Sequence, residues 1–125
     1  MKTVSILGAT GSIGQSTLDL VQRAPETYKV LALTAAKDVE GLAAAARATN
    51  AKLAVIADET LYDALKTALS GTNIGVAAGP QALVEAAKLE ADWTMAAIVG
   101  CAGLAPTLAA LETGKTVALA NKEAL

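Results

Sequence analysis

The sequence predicts a doubly wound α/β fold, a parallel sheet with helices on both faces, and three observations carry that expectation. Short apolar, β-rich runs alternate with amphipathic helical patterns along the 125 residues. Most runs lack a clean two-residue alternation, as strands buried on both faces require. The first run leads straight into a glycine-rich turn and then a helical pattern, the local order of a βα phosphate-binding unit.

The predicted strands are Thr3–Leu7, Lys29–Thr34, Leu53–Ala57, Ile74–Ala77, Trp93–Val99 and Thr116–Ala120, each compact, apolar and bounded by turn or cap residues. Between them, Ile13, Thr17, Leu20, Val21 and Ala24 mark the apolar face of a first helix that Pro25 stops. Val39, Leu42, Ala43 and Ala46 mark a second, and Leu61, Leu65, Ala68 and Leu69 a third. Gln81–Leu89 and Leu104–Leu111 supply two more, the last with Pro106 in its first turn and Gly114 just past its end. The alanine run Ala43–Ala46 lies inside the second helical pattern, so it reads as close helix–sheet packing rather than low complexity.

Composition narrows the function. With 54% hydrophobic and 18% charged residues the chain reads as one domain with a real core. The net charge of −2, with no Lys/Arg cluster and no aromatic platform, argues against a nucleic-acid surface. Histidine is absent, which removes His-based triads and the commonest metal ligand. Cys101 is the single cysteine, so no internal disulfide forms and a reducing compartment is expected. The apolar run after Met1, Lys2 and Thr3 is too short for a signal peptide or a membrane span, and the chain reads as cytoplasmic.

Gly8, Gly11 and Gly14 are spaced G-x-x-G-x-x-G within "LGATGSIGQSTLDL". Gly8 follows the first strand, Gly11 sits in the turn, and Gly14 lies where a side chain would push helix and strand apart. Unpaired N–H groups and the helix dipole at such an N-terminus suit an anion, so the backbone of Gly11, Ser12 and Ile13 can cradle a diphosphate, with Thr10 and Ser12 adding hydroxyls. The bland alternative is a tight βα turn with no ligand.

The end of the second strand speaks to the choice of dinucleotide. NAD sites place an acid there, about 20 residues past the glycines, for the ribose hydroxyls. Here Leu33, Thr34, Ala35 and Ala36 carry none and Lys37 follows, so a cation stands where a 2'-phosphate would bind and NADPH is favoured. Asp38 complicates this, because its charge repels a phosphate; alternatively Lys37 is a solvated loop residue and Asp38 caps the next helix.

"ILGATGSIGQSTLDL", "AAIVGCAGLAPTLAAL" and "GKTVALANKEAL" together resemble the N-terminal part of the 1-deoxy-D-xylulose 5-phosphate reductoisomerases, across all 125 residues. The resemblance implies a Rossmann-type NADPH-binding domain at residues 1–125. It further implies a bacterial, homodimeric enzyme of the non-mevalonate isoprenoid pathway that rearranges and reduces 1-deoxy-D-xylulose 5-phosphate to 2-C-methyl-D-erythritol 4-phosphate. It places Thr10, Gly11, Ser12 and Ile13 on the dinucleotide phosphates, Ala36, Lys37 and Asp38 around the adenosine ribose and its 2'-phosphate, Asn121 and Glu123 on the cofactor, and Lys122 on the substrate. The family's divalent metal (Mg, Mn or Co) and its acidic ligands are expected in a catalytic domain beyond this chain, so no catalytic or metal-ligating residue is assigned here and no turnover is expected from these residues alone. The chain departs from the family's usual Gly-Lys-Asn at Ala36, Lys37 and Asp38.

Other chemistries fit less well. Tyr62 and Lys66 match the Y-x-x-x-K of short-chain dehydrogenases, but they fall after the third strand and read as one face of a surface helix. Cys101 lacks a histidine to activate it and reads as a small packed residue. A nucleotide-sensing domain without redox chemistry stays the alternative from another class.

Overall fold

The computed structural model describes residues 2–89, 91–97 and, as backbone, 116–119. Six parallel strands, β1 (Lys2–Leu7), β2 (Tyr28–Ala35), β3 (Leu53–Ile56), β4 (Gly75–Ala78), β5 (Trp93–Ala96) and β6 (Thr116–Leu119), form one sheet in the order β4-β3-β2-β1-β5-β6. Four helices connect the first five strands: α1 (Ser12–Gln22), α2 (Val39–Thr49), α3 (Tyr62–Ala68) and α4 (Pro80–Ala87). A 3-10 turn, Glu59–Leu61, precedes α3. This is the Rossmann-type architecture that the alternating pattern predicts. The predicted Leu104–Leu111 helix with Pro106 and Gly114, the far end of the fifth strand and the last residue of the sixth lie outside the described residues.

Strand order decides where the helices go. From β1 to β4 the chain steps in one direction across the sheet, then returns past β1 to reach β5. Right-handed crossovers put helices on opposite faces when the direction of stepping reverses. Leu18 and Val21 of α1, Leu42 and Ala46 of α2, and Leu65 of α3 accordingly pack in one cluster with Val4, Ile6 and Leu33 of the sheet. Leu83 and Ala86 of α4 pack with Ala32 and Val55 on the other face. Ile6, Leu33, Leu42, Ile56 and Leu65 are fully buried, and each contributes about 1.5–3 kcal/mol of transfer free energy. The reversal falls at β1, and in such sheets ligands bind outside the carboxyl ends of the strands at that point.

Two details correct the sequence-based expectation. In α1 the inward residues are Gly14, Thr17, Leu18 and Val21, whereas Ile13 and Leu20 are 48% and 65% exposed. The helix is rotated because Gly14 lies against the backbone of Gly8 and Ala9. A residue without a side chain thus sets the face that apolar counting assigns to Ile13 and Leu20. In β2 the pairing with β1 slips between Val4 and Ser5, so Val4 pairs with Val30 and Ser5 with Ala32. Leu31 is the extra residue, which explains why the strand shows no simple alternation.

Local chemistry fixes the ends of the helices. Asp38 caps α2 through its carboxylate, which accepts from the Gly41 amide at 2.9 Å. Asn50, at φ 52°, closes α2 in the left-handed conformation that ends many helices. Arg47 reaches across to α3, where its guanidinium donates to the carbonyls of Ala68 and Ser70. Tyr62 and Lys66 sit one turn apart on α3, with the ammonium 5.9 Å from the ring centroid, an intrahelical contact like the surface reading of this pair.

Candidate functional site

The glycine turn is assembled from two strands. Gly8 follows β1 at φ 83°, a conformation that favours glycine. Its amide donates to Oγ1 of Thr34 at 2.9 Å, and the next amide, of Ala9, donates to the Thr34 carbonyl at 2.7 Å. Thr34 is buried near the end of β2, so the turn is anchored from the neighbouring strand. Thr34 is absent from the site residues expected from sequence; a hydroxyl after the apolar run Val30–Leu33 was the available signal.

The three glycines have three different physical reasons. Gly8 needs its positive φ. Gly14 needs its missing side chain, because a Cβ would collide with the Gly8 carbonyl oxygen and lie 2.7 Å from the Ala9 Cα. Gly11 needs neither: its φ is −75°, and a Cβ there would meet only the Gly8 oxygen, at an unstrained 3.8 Å. The protein itself would tolerate a side chain at Gly11, so packing does not account for the glycine there.

Gly11 is also the N-cap of α1, with no side-chain hydrogen bond and no acid in the first turn. The amides of the first turn lack intrahelical acceptors in any α-helix, and here no side chain of the turn caps them. Thr10, Gly11, Ser12 and Ile13 therefore surround an exposed helix N-terminus at the carboxyl end of β1. Gln15 braces the turn by donating to the Thr10 carbonyl at 2.8 Å. This arrangement suits a phosphate, which the amides and the helix dipole both favour.

Ala36, Lys37 and Asp38 are exposed and follow β2 at the same end of the sheet. Among the described residues Asn50 is the only non-glycine at positive φ, so Ala36 carries no strain where the resemblance expects glycine. Asp38 is engaged as the α2 cap, with its charge facing a helix N-terminus that offsets it. Gly41 makes that possible, since a Cβ there would overlap the Asp38 carboxylate. Two residues past β3, Asp58 caps the 3-10 turn, accepting from the Thr60 amide at 3.0 Å and the Thr60 hydroxyl at 2.6 Å. Those bonds, the hydroxyl first, hold its carboxyl below the ordinary value, and the nearby Lys37 charge adds to the effect.

Known proteins resemble this chain in both sequence and fold. Residues 4–125 match the family model described as 1-deoxy-D-xylulose 5-phosphate reductoisomerase. The chain belongs to that family. The reductoisomerase of Zymomonas mobilis is 64% identical over 124 residues, which are 99% of this chain and 32% of that protein. The Jannaschia reductoisomerase is 57% identical over 99% of this chain. The chain spans about a third of the length of these relatives. Among solved structures, the Z. mobilis reductoisomerase in complex with NADPH superposes with a TM-score of 0.98, covering 99% of this chain and 33% of that one. A reductoisomerase in complex with NADPH, fosmidomycin and magnesium is 39% identical, with a TM-score of 0.94, covering 100% of this chain and 31% of that one.

The remaining site residues expected for a reductoisomerase, Asn121, Lys122 and Glu123, lie outside the described residues, as does Cys101. No helix among the described residues is long and apolar enough to cross a membrane. No cluster of three or more metal-capable side chains occurs among them either.

Proposed function

We propose that this chain is the NADPH-binding domain, residues 1–125, of an enzyme that converts 1-deoxy-D-xylulose 5-phosphate to 2-C-methyl-D-erythritol 4-phosphate. The observation that supports it most is Gly11, open although neither its φ nor its neighbours require a glycine, beside an uncapped helix N-terminus. A relative 64% identical to this chain, solved with NADPH, supports the same reading.

In this reading the backbone at Gly11, Ser12 and Ile13, with the Thr10 and Ser12 hydroxyls, holds the diphosphate. Ala36, Lys37 and Asp38 surround the adenosine ribose, and Lys37 pairs with the 2'-phosphate. Asn121 and Glu123 border the cofactor and Lys122 contacts the substrate, where an ammonium can neutralise charge developing on oxygen. NADPH, when bound, supplies the hydride for the reduction. A divalent metal (Mg, Mn or Co) and most groups for the substrate phosphate are assigned to the part of the enzyme that corresponds to the relatives' greater length; a reductoisomerase in the same family was solved with magnesium. The enzyme is a homodimer of the bacterial cytoplasm, acting without nucleic acid or membrane.

Fluorescence titration with NADPH, NADH and ADP tests this reading. NADPH binding tightest, with protection that extends beyond the adenine half, is the expected result. ADP binding as tightly as NADPH would favour a nucleotide sensor instead.

A further inference from the structure

Of the two acids nearest Lys37 in the chain and across the sheet, one is already engaged. Asp38 faces the N-terminus of α2 and its charge is offset there. Asp58 is different. The ladder between β2 and β3 continues past both strands, with the Ala57 amide donating to the Ala35 carbonyl at 2.9 Å and the Asp58 amide to the Ala36 carbonyl at 3.2 Å. That continuation docks Asp58 alongside Ala36 and Lys37. The two bonds from Thr60 fix the direction of its carboxylate. The Gly79 amide, donating to the Ile56 carbonyl at 2.9 Å, ties the end of β3 to the loop that follows β4.

We propose that Asp58 is a specificity-determining residue of this site: fixed beside Lys37, its carboxylate offsets part of the lysine charge and so sets how strongly a 2'-phosphorylated dinucleotide is preferred over an unphosphorylated one. The proposal rests on the NADPH-binding reading above. Asp58 and Lys37 do not form an ion pair, because among the described residues the only one within 4 Å joins Arg23 to Asp19. The interaction therefore acts through solvent at longer range, and its size is that of an exposed pair. A carboxylate can only accept hydrogen bonds, so Asp58 opposes a phosphate rather than binding it. It tempers the preference that Lys37 creates. The Lys37 charge is the smallest of the influences on the Asp58 carboxyl, behind the two Thr60 bonds.

The test is calorimetric titration of NADPH and NADH onto the purified protein and its Asp58→Asn and Asp58→Ser variants. Asp58→Asn keeps an oxygen in the place that accepts from Thr60, Asp58→Ser is a shorter favoured cap without an amide donor, and both remove the charge. NADPH affinity should rise about two- to fivefold in both, NADH affinity should stay the same, and the gain should shrink at high salt. Equal changes for the two cofactors, an unchanged ratio, or weaker NADPH binding would each overturn the proposal. Equal affinity of the unsubstituted protein for NADPH and NADH would instead overturn the cofactor reading, before any variant is compared.

Discussion

The amide of Gly8 donates to the hydroxyl of Thr34 at 2.9 Å, so the turn that ends β1 is held by the strand beside it. Thr34→Val removes that acceptor and leaves a partly buried N–H unpaired, a loss of about 1–3 kcal/mol. Thr34→Ser, which keeps the hydroxyl, should lose less. Urea denaturation of the two variants checks the difference, and equal losses would show that the bond contributes no more than the methyl group that serine lacks.

Gly14 is the contact between α1 and the start of the turn. Alanine there gains about 1 kcal/mol of helix propensity. Its Cβ, however, meets backbone atoms of Gly8 and Ala9, which cannot rotate away as a side chain would. Overpacking of this kind costs about 1–3 kcal/mol and here acts on main chain, so the clash wins. Gly14→Ala should lower the thermal midpoint and weaken NADPH binding together; an unchanged midpoint would sink the packing argument.

Asp38 has a structural duty that is separable from cofactor choice. Asp38→Ala removes the α2 cap and should cost about 1 kcal/mol, whereas Asp38→Asn, also a favoured cap, should be close to neutral. Chemical denaturation of both variants is the check. Equal stability of the two would contradict a capping role.

Lys37→Ala should weaken NADPH binding roughly tenfold or more, the scale of one hydrogen bond to a charged group, and leave NADH binding nearly unchanged. Calorimetry on the two cofactors reads this directly. Equal losses would remove the 2'-phosphate contact from the account.

Much of this was legible in the sequence because it is local. Each described strand coincides with a predicted apolar run to within a residue or two, apart from the far ends of the last two, and the glycine turn and Ala36–Asp38 fall at the same end of the sheet. What was not legible depends on the order of the strands. Thr34 anchors Gly8 only because β2 lies beside β1, and the Asp58 amide meets the Ala36 carbonyl only because β3 lies beside β2. The face of α1 was misassigned for a related reason: apolar periodicity counts side chains, and Gly14, which sets the rotation, has none.

Gly11 tests the central claim most directly, since neither its φ of −75° nor its surroundings require a glycine. Serine is a favoured N-cap, so Gly11→Ser should leave the unfolding midpoint unchanged or slightly raised. Its side chain would nevertheless fill the space at the helix N-terminus and compete for the same amides. NADPH titration of Gly11→Ser should therefore show affinity lost by about tenfold or more at undiminished stability, the scale of one charge-assisted contact. Wild-type affinity in a stably folded Gly11→Ser protein would contradict a cofactor phosphate at this turn.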